Sequence, residues 1–125
     1  MLNIRVEGLT KLQQKFSRIE ADLPKTLRDA LEESAKFTLQ NLKANTPVDT
    51  GNLRDSEDYK VTALTAVVGP NLEKAPYAGF VESGHYTRSG SFVQGQFYVQ
   101  RTAIMIQPFI ADYFRVSVVN TFAKN

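Results

Sequence analysis

From Leu9 onward the apolar residues recur at steps of three and four. Leu9, Leu12, Phe16, Ile19 and Leu23 form one set, with Lys11, Lys15, Arg18 and Glu20 between them, and Leu27, Leu31, Ala35, Thr38 and Leu42 form a second. A stripe of this period is one face of an amphipathic helix, which must bury that face against another layer. Ala30, Phe37 and Leu39 widen the second half, and Leu31 falls in its middle, where an opposing sheet is expected to cover it. Pro24 separates the two sets. It lacks an amide hydrogen and crowds the preceding turn, so the expectation is a kink or a restart there.

The flanking segments follow other rules. Leu2, Ile4 and Val6 alternate with polar residues until Gly8, the period of a half-buried strand. Asn45, Thr46, Pro47, Asp49 and Gly51 crowd into a turn, and the polar run from Asn52 to Asp58 has room for one helical turn. Tyr59–Val61 and Ala63–Val68 read as two strands or one bent strand, stopped by Gly69-Pro70-Asn71. Ala75–Glu82 suits a short helix, with Pro76 in its first turn and Gly84 just past its end. Gly84–Gln96 reads as a mobile loop or loose hairpin, Phe97–Ile106 as a strand, and Pro108 as the start of a terminal helix carrying Ile110, Phe114, Val118 and Phe122. The expected fold class is α+β: a long kinked N-terminal helix and a C-terminal helix packed on a small, mainly antiparallel sheet. Residues 1–125 are expected to form a single domain, with a mobile assembly loop at 84–98.

Composition limits the chemistry. The 125 residues include no cysteine and one histidine, His85, which removes thiol nucleophiles, Cys-containing zinc sites and multi-histidine metal sites within one chain. The formal charge is +2, without a concentrated basic face of the kind that sustained phosphate binding needs. No apolar window reaches the roughly 18 residues of a membrane span, and no export signal is apparent, so the chain is expected to be soluble and unexported.

Three constellations remain. In Thr46-Pro47-Val48-Asp49-Thr50-Gly51-Asn52-Leu53-Arg54 the proline forces Thr46 to be extended, Asp49 can build an Asx turn and Gly51 can take positive φ. This is a rigid corner, which Arg54 could tie to a carboxylate such as Asp49 or Glu82. In Tyr77-Ala78-Gly79-Phe80-Val81-Glu82-Ser83-Gly84-His85, Tyr77, Phe80 and Val81 share a helix face, and packing explains the motif better than a Glu82–His85 acid/base pair, since no Gly-x-Ser-x-Gly or HExxH is present. Tyr86, Arg88, Phe92, Val93 and Phe97 combine aromatics with arginine, the composition of interface hot spots, and are expected to meet another subunit or a partner protein. Two rival readings compete with an assembly role. One is a carboxylate-dependent nuclease using Asp49, Asp55, Asp58 and Glu82, and the other is a DNA-binding module.

Taken together these motifs resemble a family of small siphophage virion proteins described as neck, head-tail joining, tail-completion or minor tail components. The resemblance rests on Thr46-Pro47-Val48-Asp49-Thr50-Gly51 with Leu53-Arg54 and Ser56, then Val68-Gly69-Pro70, Tyr77-Ala78, Phe80-Val81-Glu82 with Gly84, and Gln107-Pro108-Phe109-Ile110. Glu57 stands where an isoleucine commonly follows the serine, and His85–Ile106 matches poorly. The resemblance implies a structural protein of a tailed phage or prophage, part of a ring at the head-tail junction or upper tail. It implies no catalytic residues, metal or cofactor. The implied partners are further copies of the chain and connector or tail proteins, with DNA possible in the lumen but without sequence specificity, and no membrane. The implied location is the virion, with the host cytoplasm during assembly.

Overall fold

A computed structural model of the chain describes residues 2–5 and 7–125. The amphipathic stripe becomes α1 (Leu9–Asn45), a single helix that continues through Pro24, whose ring is exposed. The helix starts after Gly8 at φ 81° and ends at Thr46, which Pro47 holds extended at φ −70°, ψ 129°. The expected restart at Pro24 does not occur, because the helix on both sides is held by packing and one lost backbone bond is tolerated there. Leu31 is only half-buried, whereas Ile19, Ala30, Ser34, Ala35 and Leu42 are buried. The deepest positions around Leu31 are small, which lets the covering elements approach closely.

The elements that follow are α2 (Asn52–Ser56), β1 (Glu57–Thr62), β2 (Thr65–Pro70), α3 (Ala78–Ser83), β3 (Gly84–Tyr86), β4 (Phe92–Gln94) and α4 (Tyr98–Lys124). β1 and β2 form an antiparallel hairpin in register Glu57↔Pro70 to Thr62↔Thr65. Its two-residue turn is Ala63-Leu64, with Ala63 at φ 51°. The hairpin lies on α1, where the Tyr59 hydroxyl donates to Glu32 Oε1 at 2.7 Å. β3 and β4 make a second, separate antiparallel pair, Gly84↔Gln94 to Tyr86↔Phe92. The fold is thus α+β, with two long helices and small antiparallel sheets.

Two expectations change. Residues 2–5 form no strand, with Leu2 84% and Ile4 83% exposed, since no sheet edge is there to pair with; Val6 lies outside the described residues. Phe97–Ile106 is not a strand either. α4 begins at Tyr98 and continues through the exposed Pro108, so the terminal helix starts ten residues before that proline. Tyr98, Thr102 and Ile106 are buried at four-residue spacing, the helical period, against the rest of the fold.

α1 and α4 run antiparallel. Asn45 Nδ2 donates to Thr102 Oγ1 at 3.0 Å near one end of the pair, Thr121 Oγ1 bonds Thr26 Oγ1 at 3.1 Å further along, and Asn125 Nδ2 donates to Asp22 Oδ2 at 3.1 Å. Beyond that end α1 overhangs, leaving Leu9, Leu12 and Phe16 exposed on the same stripe that buries Ile19. The apolar core lies at the opposite end of the helix pair, where Leu42, Leu53, Ala75, Ala78 and Tyr98 meet and Val68, Val81 and Val99 close around them.

Candidate interaction surface

The corner is built on that core. Leu53 of α2 plugs into it, and Gly51 takes φ 86°, the left-handed conformation that starts α2. Thr50 Oγ1 accepts the Asn52 amide at 3.3 Å, so the turn is closed by the threonine; among the described residues Asp49 makes no hydrogen bond or ion pair. Asn52 Nδ2 then donates to the Tyr77 hydroxyl at 2.9 Å and the Lys74 carbonyl at 3.2 Å, fixing the corner to the start of α3. A cleft of about 420 Å³ opens between Pro47–Leu53 and the side chains of Tyr77 and Val81. Arg54 pairs with neither Asp49 nor Glu82; its Nε sits 3.6 Å from Asp55 Oδ1 on the surface.

Beneath the corner lies a carboxyl group. Glu57 is 3% exposed and contacts Thr46 Oγ1 through Oε1. The threonine hydroxyl also donates to the Leu42 carbonyl at 2.6 Å. A hydroxyl has one proton, so Thr46 serves the Leu42 carbonyl or Glu57 Oε1 at any moment, not both. Burial raises the Glu57 pKa against the opposing pull of Thr46, Lys43 and Arg54. Tyr98 is fully buried, and its hydroxyl is pushed up to about 12, first by burial and then by Glu57, Glu82 and Tyr77.

Glu82 has a defined task. Its carboxylate accepts the backbone amides of Val99 at 2.8 Å and Gln100 at 3.1 Å, satisfying free N–H groups in the first turn of α4 and opposing the positive end of its dipole. Phe97, at φ 49°, makes the sharp entry. Between Glu82 and α4 the β3–β4 hairpin projects. Its stem is close-packed: a Cβ on Gly84 would lie 2.5 Å from the Val93 carbonyl oxygen, and one on Gly95 2.4 Å from that of Glu82. Gln96 and Phe97 donate their amides to Val81 and Glu82. Further out, the Tyr86 and Phe92 rings pack in a tilted pair, centroids 5.1 Å apart, while remaining 76% and 52% exposed, with Val93 and Arg88 also exposed beside them. Phe80, exposed on α3, lies 5.5 Å from the His85 ring.

A family model described as "Bacteriophage HK97-gp10, putative tail-component" matches residues 10–84, more than half of the chain. The chain belongs to this HK97-gp10-like family. No curated protein and no solved structure gives a significant match. The matched span ends at Gly84, so membership of this tail-component family rests on α1, the corner, the β1–β2 hairpin and α3, while the β3–β4 hairpin and α4 lie outside it. A phage tail component works among other virion proteins, and none of its helices is long and apolar enough to cross a membrane among the described residues.

In this HK97-gp10-like chain the carboxylates of the nuclease reading do not converge. Among the described residues no group of three or more His, Asp or Glu side chains could hold a metal ion. Asp55 pairs with Arg54, Asp58 accepts the Tyr59 amide, and Glu82 caps α4. The structure does bring Pro47, Thr50, Gly51, Leu53, Tyr77 and Val81 together at one cleft. Sequence reasoning missed Tyr98, Thr46 and Glu57 as buried members of this region. The spacing of Tyr98, Thr102 and Ile106 carried the signal for the first; nothing local marks the other two.

Proposed function

We propose that this tail component is a non-enzymatic assembly protein that takes a ring position at the head-tail junction or upper tail. Its β3–β4 arm, residues 84–94, reaches a neighbouring copy or an adjoining connector or tail protein, while Tyr98, inside the expected 84–98 loop, is a core residue at the start of α4. The observation that carries the reading is the paired, exposed Tyr86 and Phe92 rings on a sheet separate from the main hairpin. Aromatic anchors left in solvent on a short hairpin recover their burial against a partner. Total surface supports it. The chain exposes 9423 Å², whereas a compact 14.0 kDa monomer is expected to expose about 6,700 Å². DNA passing through a ring lumen would meet the chain without sequence readout.

The test replaces Tyr86 and Phe92 together by serine in a phage carrying this chain. The expected result is a purified protein with an unchanged cooperative melt that fails to enter virions. Cryo-electron microscopy that accounts for every neck and upper-tail ring without this chain, or normal incorporation of the double variant, would overturn the proposal.

A further inference from the structure

α4 has an outer face that nothing in the fold covers. Ile104, Met105, Val116, Val119 and Phe122 are each between 44% and 65% exposed, on the side of the helix away from Ile106 and Thr121. A helix apolar on both sides is expected to be buried on both sides. Those five side chains present about 450 Å² of apolar surface, on the scale of the largest patch of a soluble monomer and of the apolar share of the roughly 800 Å² that each partner contributes to a standard interface.

The order of residues on this face says what covers it. Read outward from a point between Tyr113 and Phe114, the outward-facing positions of α4 form a palindrome in chemical character. Met105 corresponds to Phe122, Pro108 to Val119, Ala111 to Val116, and Asp112 to Arg115. Laid antiparallel on itself, the helix sets apolar against apolar and, at its centre, acid against base. The central charges already pair within one helix, on side chains 60% and 70% exposed, and in the antiparallel arrangement each also meets the opposite charge of the other copy. Parallel pairing in register would instead oppose Asp112 to Asp112 and Arg115 to Arg115. Self-complementarity of this kind defines an isologous, two-fold contact.

We propose that a second copy of this chain covers the outer face of α4, antiparallel across a two-fold axis near residues 113 and 114. The contact is independent of the β3–β4 arm and of any place in a virion, and it is a property of the free protein.

Sedimentation velocity of the full chain from about 1 to about 100 µM tests it. The natural chain should pass from monomer to dimer. Asp112→Arg and Arg115→Asp should each weaken the dimer by about tenfold or more, since each opposes like charges at the axis. The double variant D112R/R115D should recover to within about threefold of the natural chain, because the charges complement again. Both sites are exposed, so circular dichroism should stay unchanged in all three. A chain monomeric throughout, a double variant no better than the singles, or a dimer abolished by the Tyr86/Phe92 serine variant would each overturn the proposal. The last result would move the contact to the hairpin.

Discussion

Glu57 shows how one side chain can govern pH response. Its folded pKa lies above the ordinary 4.5 because burial outweighs the favourable influence of Thr46, Lys43 and Arg54. A group that binds its proton more tightly when folded contributes stability fully below the unfolded value and loses that contribution as pH rises through the folded one. Glu57→Gln keeps the shape and the oxygen that Thr46 reaches, and removes the charge that burial penalises. The expected outcome is a glutamine variant more stable than the natural chain at pH about 8, with the gap narrowing toward pH about 4, as measured by urea melts. Equal pH slopes would contradict the raised Glu57 pKa. Gly51 gives a second residue-scale contrast. The nearest atom a Cβ would meet, Arg54 Nη2, lies 3.4 Å away, so the cost of a side chain comes from φ 86° alone. Gly51→Val should lose about 1–2 kcal/mol or more in denaturant melts, while Thr50→Ser, which keeps the hydroxyl that accepts the Asn52 amide, should stay within about 0.5 kcal/mol.

At the scale of elements, local rules were sufficient where each element depends on its own residues. The period of α1, the Pro47–Gly51 corner, the short α2 turn and α3 with Gly84 beyond it are all readable from neighbours in the chain. The β1–β2 hairpin was legible as strand but not as a turn, because Ala63-Leu64 carries none of the usual turn residues. α4 was misread at its start for a different reason. Phe97–Ile106 is rich in β-branched and aromatic residues, and what makes its first turn helical is a carboxylate that α3 supplies from Glu82. The same holds for the site: Asn52–Tyr77 and Thr46–Glu57 join residues far apart in sequence, so the corner's backbone was foreseeable and its anchoring was not. Glu82→Ala should therefore cost about 1–2 kcal/mol and raise amide exchange at Val99 and Gln100 specifically. Unchanged protection of those two amides would show that the cap is dispensable.

For the molecule as a whole, the core that unites α1, α2, α3 and α4 sits at one end of a long helix pair, and much apolar surface is left outside it. Stability and assembly should then respond to different residues. Gly95→Ala, which would drive a Cβ into the Glu82 carbonyl, should lower the melt by several degrees or prevent folding, whereas glycine and serine in place of Thr87–Ser91 should leave it nearly unchanged. A collapse of the melt in the tip variant would place the whole hairpin in the folding unit. The two glycines at the stem have one more consequence. Because Gly84 and Gln94 are register partners, the chain leaves the body and re-enters it at nearly the same point. What happens between them is geometrically invisible to α4, so the tip can be lengthened, recoded or exchanged for an inserted tag as an interchangeable cartridge, while the rod it is mounted on keeps its aim.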